Sequence, residues 1–88
     1  MAEYSITLSR SARKDLERLE DAALHRVVEK IESLARTPRP SEGKKVRFQQ
    51  GLYRVRVGEY RVLFTVNDTL RHVDIVAVRH RRDAYRQR

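Results

Sequence analysis

Polar and apolar positions alternate over residues 4–8, where Tyr4, Ile6 and Leu8 stand between polar neighbours, and this period of two predicts a strand. Ser9 follows with a hydroxyl suited to capping a helix that begins near Arg10. The period then lengthens. Apolar residues fall at Ala12, Leu16 and Leu19 and, after an interruption at Asp21, at Leu24, Val27, Val28, Ile31 and Leu34. That spacing predicts two amphipathic helices in a hairpin. Their other faces carry Arg13, Lys14, Glu17, Arg18, Glu29, Lys30 and Glu32, the mixed signs of a solvated surface. Residues 37–43 contain Pro38 and Pro40, neither of which fits a helix interior, so the helical half ends there. Four β-rich stretches follow, at 45–48, 52–57, 60–66 and 72–78, separated by Gln49-Gln50-Gly51, Gly58-Glu59 and Asn67-Asp68. The expectation is an α+β fold: an N-terminal strand and a two-helix hairpin packed on a twisted, mainly antiparallel sheet.

Composition narrows this picture. A chain of 88 residues has room for one core, so residues 1–88 are expected to form one domain. Hydrophobic residues at 40%, with few Gly and Pro, favour a folded chain over a disordered one. No cysteine is present, which excludes a disulfide framework and a thiolate metal site. The apolar runs are too short for a membrane span or a signal-peptide core, which predicts a soluble, cytoplasmic protein with no membrane partner. Lys and Arg number 20 against 12 Asp and Glu, a net charge of +8 carried mostly by arginine. Nucleic acid or an acidic protein is the partner such a surface suits.

The densest chemistry lies in residues 52–64. If Gly58 and Glu59 close a two-residue hairpin, Val57 faces Tyr60, Val55 faces Val62 and Tyr53 faces Phe64. These six share one face, suited to packing on the helices, and Arg54, Arg56 and Arg61 share the other. Arg56 and Arg61 are then directly opposed, which costs a sheet some tenths of a kcal/mol up to about 1 kcal/mol. Folding alone does not favour that pair, whereas three guanidinium groups on one face suit phosphate. The alternative is a solvated ion network with Asp74 or Glu42. Just after the last predicted strand stand Arg79, His80, Arg81, Arg82 and Tyr85. Tyr85 suits stacking on an unpaired base, or else anchors the C-terminal tail to the core. His80 has no second ligand at metal spacing, and His25 and His72 read as surface residues.

Taken together, residues 4–8, Ala12, Leu16, Leu19, the run Tyr53-Arg54-Val55-Arg56-Val57-Gly58-Glu59-Tyr60-Arg61-Val62 and the ending His80-Arg81-Arg82-Asp83-Ala84-Tyr85 resemble the RelE/ParE toxins of type II toxin-antitoxin systems over about residues 4 to 85. The resemblance implies the RelE-like fold and, in the RelE branch, a ribosome-dependent endoribonuclease that cuts mRNA in the A site without a metal or other cofactor. Carried over by position, Arg54, Arg56, Arg61, Arg81 and Tyr85 would be the catalytic set, with His80, Tyr85 or a ribosomal group the proton acceptor and Lys44, Lys45, Arg79 and Arg82 further RNA-binding residues. The two central-strand positions hold lysine in the best-known RelE branch and arginine here. Arginine is a poor general base, since its pKa lies above about 12, so these residues would stabilise charge. The implied partners are a cognate antitoxin with an acidic or amphipathic wrapping segment, the ribosome and mRNA, with DNA reached only through the antitoxin. The competing readings are a ParE-like inhibitor of DNA gyrase on the same fold and a non-catalytic basic module that binds nucleic acid.

Overall fold

The computed structural model describes residues 3–46 and 49–82. Strand β1 (Ser5–Leu8) leads through Ser9 into α1 (Arg10–Glu17), a short turn joins α1 to α2 (Asp21–Ser33), and the meander β2 (Lys44–Lys45), β3 (Leu52–Val57), β4 (Tyr60–Asn67) and β5 (His72–His80) completes the chain. The five strands form one sheet in the order β1-β5-β4-β3-β2, with β1 parallel to β5 and every other pair antiparallel. The predicted α+β fold is present. The stretch predicted at 45–48 is two residues at 44–45, with Phe48 outside the described residues, and the strand predicted at 72–78 runs on to His80.

The helices lie on one face, α1 along β5 and α2 across β3 and β4. Between them and the sheet sit Ala12, Val27, Ile31, Leu34, Val55, Val62, Phe64, Val73, Ile75 and Val78, with Leu16, Leu19, Tyr53, Val57 and Tyr60 packed at the margin. The helical periodicity of the sequence therefore marks the buried stripe. Ser9 caps α1 as its position predicts: its Oγ accepts from the Ala12 N–H at 2.9 Å and donates to the Val76 carbonyl at 2.7 Å.

That second bond belongs to an irregularity in β5. Leu63 pairs with Ala77 but Phe64 pairs with Ile75, so Val76 is an extra residue. The bulge moves the helix-facing set of β5 from Val73 and Ile75 to Val78 and His80, in step with Val62 and Tyr60 across the ladder. It also coincides with the end of β1, whose last pair is Leu8 with Ile75. Beyond it the β5 edge is satisfied by α1, with the Asp15 carboxylate accepting from the Val78 N–H at 2.9 Å and from the Arg79 guanidinium.

A second fastening holds the proline segment. Arg39 donates to both carboxylate oxygens of Asp68 at 3.0 Å and to the Tyr53 hydroxyl at 3.1 Å, and Tyr4 donates to Asp68 at 2.6 Å. The Arg39 hydrogen bonds, and then that of Tyr4, hold the Asp68 carboxyl below its ordinary range. His72 is more than a surface residue, because its two ring nitrogens meet Ser5 Oγ at 2.9 Å and Thr7 Oγ1 at 2.8 Å and tie β1 to β5.

Candidate functional site

The β3–β4 hairpin has the register expected of it: Tyr53 opposes Phe64, Val55 opposes Val62, Arg56 opposes Arg61 and Val57 opposes Tyr60. Gly58 has φ +59°, and Glu59 is not among the positive-φ residues, the pattern of a type II′ turn. Val55 and Val62 are buried under the helices, so alternation turns Arg54, Arg56 and Arg61 to the outer face. Lys44 pairs with Arg54 and joins them there. Together with Glu42 these four cations line one depression of about 290 Å³.

Two carboxylates stand nearest this cluster in the sequence reading. Glu42 lies at the rim, but it accepts from Lys30 of α2 at 2.6 Å, a bond that holds its carboxyl below the ordinary range. Asp74 accepts from Thr7 at 2.9 Å. Among the described residues Arg54 and Arg56 make no ion pair. A depression walled by guanidinium and ammonium groups, with one carboxylate at its rim, suits an anion with several oxygens.

The remaining candidates separate. Arg79 opposes Arg61 across the ladder, yet its guanidinium is held by Asp15 at the sheet edge. Arg81 sits against the hairpin turn, where its N–H donates to the Glu59 carbonyl at 2.7 Å and its guanidinium stands 3.7 Å from the Glu59 carboxylate. Arg82 follows it beside the same turn. His80 opposes Tyr60, with the two rings edge to face at 5.1 Å, and so lies on the helix side of the sheet, away from Arg54, Arg56 and Arg61. Lys45 opposes Tyr53 and is likewise on the other face from Lys44. Tyr85 lies outside the described residues. The Arg39–Asp68 fastening was not anticipated, and residues 29 apart in a loop and a turn give no pattern by which to pair them.

Comparison with known proteins decides the family. The family model described as ParE toxin of type II toxin-antitoxin system, parDE, matches residues 6–85. The chain belongs to the RelE/ParE toxin superfamily. Toxin RelG of Mycobacterium tuberculosis is 36% identical to this toxin over 86 residues, covering 96% of this chain and 98% of the relative. A chain of the toxin-antitoxin complex RelBE2 from the same organism superposes with a TM-score of 0.81 at 34% identity, covering 91% of this chain and 93% of that one. A chain of the archaeal RelE–RelB complex from Pyrococcus horikoshii does so with a TM-score of 0.78 at 29% identity, covering 89% and 94%. The toxin thus combines the superfamily's helices-on-sheet fold with a cationic outer sheet face.

Proposed function

We propose that this toxin is an endoribonuclease that cuts mRNA in the ribosomal A site. The observation that carries the reading is the convergence of Lys44, Arg54, Arg56 and Arg61 in one depression beside the turn that holds Arg81. The scissile phosphate is seated among these groups. The 2′-oxygen of the preceding ribose attacks phosphorus, the bond from phosphorus to the 5′-oxygen breaks, and the products are a 2′,3′-cyclic phosphate and a 5′-hydroxyl. Charge builds on the phosphoryl oxygens in the transition state, where fixed guanidinium donors stabilise it most. The proton leaving the 2′-hydroxyl goes to Tyr85 or to a ribosomal group, because arginine is too weak a base, and water returns a proton to the departing 5′-oxygen. Tyr85, with Arg81, completes the set, and Arg82 contributes positive charge to RNA on the approach.

The partner of the free toxin is a cognate antitoxin. Relatives have been solved as RelB–RelE complexes, and a chain of net charge +8 suits an acidic or amphipathic segment laid over the arginine face. Binding to operator DNA belongs to that antitoxin.

Primer extension on mRNA in a reconstituted translation reaction tests the reading. New 5′ ends are expected only when toxin and ribosomes are both present, and are sharply reduced in Arg61→Ala and Arg81→Ala, which stay folded and no longer arrest growth. A second reading is favoured by the ParE description of the matching family model, namely inhibition of DNA gyrase without RNase activity. Intact mRNA together with blocked supercoiling by purified gyrase would establish that reading instead.

A further inference from the structure

The chain leaves β5 through a turn fastened at both of its first two amides. Backbone geometry becomes helical at Arg81 and Arg82. The Arg81 N–H is taken by the Glu59 carbonyl at 2.7 Å, and the Arg82 N–H is taken by the His80 ring at Nδ1, at 3.1 Å. A backbone amide can only donate, so Nδ1 is the acceptor and the proton of the neutral ring sits on Nε2. While that bond stands, neither ring nitrogen has a lone pair to receive a proton. The ring is also set edge-on against Tyr60, on the helix side of the sheet.

From this geometry we infer that His80 is a positioning residue for Arg81, acting as the cap of the turn that carries it. The inference rests on the endoribonuclease reading for the role of Arg81. A side-chain acceptor bonded to the N–H two residues on is the contact made by a helix N-cap, and it fixes where the chain reverses. Arg81 lies between the two fastened amides, so the His80 ring and the Glu59 carbonyl jointly decide on which side of the hairpin its guanidinium stands. Without the ring, the Glu59 carbonyl alone restrains the reversal. A shift of even about 1 Å in a charge-stabilising group is enough to slow a reaction by up to roughly a hundredfold.

Asparagine separates capping from proton transfer, since its side-chain oxygen caps as well as any residue and it does not titrate. His80→Ala and His80→Asn would be compared in single-turnover cleavage on programmed ribosomes, with and without Arg81→Ala, after thermal melts confirm folding. His80→Ala is expected to lose about tenfold in rate, His80→Asn to restore most of it, and His80→Ala to have no further effect once Arg81 is alanine. A His80→Asn variant as inactive as His80→Ala would overturn the inference, as would an undiminished His80→Ala loss in the Arg81→Ala background. A readout independent of activity is the hydrogen exchange of the Arg82 amide, expected to be slow in the wild type and His80→Asn and fast in His80→Ala. An unprotected Arg82 amide in the wild type would also overturn it. Absence of wild-type cleavage would sink the endoribonuclease reading alone, leaving the exchange measurement to decide the cap.

Discussion

On the endoribonuclease reading, the opposed pair Arg56 and Arg61 is a local conflict between folding and function. Two guanidinium groups directly across a ladder repel, by some tenths of a kcal/mol up to about 1 kcal/mol, and the same proximity concentrates charge where a phosphate would sit. Arg56→Thr is therefore expected to move the urea midpoint upward by a stability gain of that size while lowering mRNA cleavage; a variant that loses both stability and cleavage would show that Arg56 is structural. Asp68 behaves in the opposite sense. Arg39 and Tyr4 depress its pKa in the folded protein, so its contribution is fully present above the unfolded value of about 4 and is lost as pH falls through the lower folded value. Melts between pH 7 and pH 2 should show a loss of stability in that acid window, and Asp68→Asn should be slightly less stable at neutral pH and lack this part of the acid sensitivity. The effect is small because the group is exposed.

Among the elements, the boundary between β1 and α1 is the most heavily bonded. Ser9 satisfies a helix amide and a strand carbonyl at once, so Ser9→Ala is expected to cost about 1 kcal/mol from the cap alone, more if the Val76 carbonyl goes unpaired, as measured by urea denaturation. Asp15 replaces the missing neighbour strand at Val78. Asp15→Ala leaves that amide without its acceptor and should cost about 1 to 3 kcal/mol, whereas Asp15→Asn keeps an acceptor oxygen and should cost less; equal losses would assign the effect to the Arg79 ion pair instead. Ser9 as a cap, the two helical stripes and the hairpin register were legible in the sequence because each is a local pattern with a period or a turn signature. The Asp15 contact was not, since it joins residues 63 apart through an edge that exists only once β1 stops short.

For the whole molecule, the sheet divides the cations into two populations. Lys44, Arg54, Arg56 and Arg61 line the outer depression, with Arg81 at the hairpin turn beside them, while Lys45 shares the face of Tyr53 and Arg79 is held at the edge by Asp15. Binding to a short RNA should accordingly weaken steeply with salt, with the slope reduced by about 0.7 per contact in Arg54→Ala and unchanged in Lys45→Ala, as read by fluorescence anisotropy across a salt series. By itself the sequence determined the order of elements, the α+β class, the inward face of the hairpin and the grouping of Arg54, Arg56 and Arg61, because side-chain direction over a few residues follows from backbone periodicity. Tertiary structure decided the direction of everything after Val76. One extra residue in β5 reverses the alternation, so Arg79 shares the face of Arg61 and His80 turns toward Tyr60 and the helices, where an uninterrupted strand would have exchanged them. A bulge of this kind is set by how β5 fits between β1, β4 and α1, and of the contacts that decide the fit, those from β1, Ser9 and Asp15 come from more than 60 positions away in the chain.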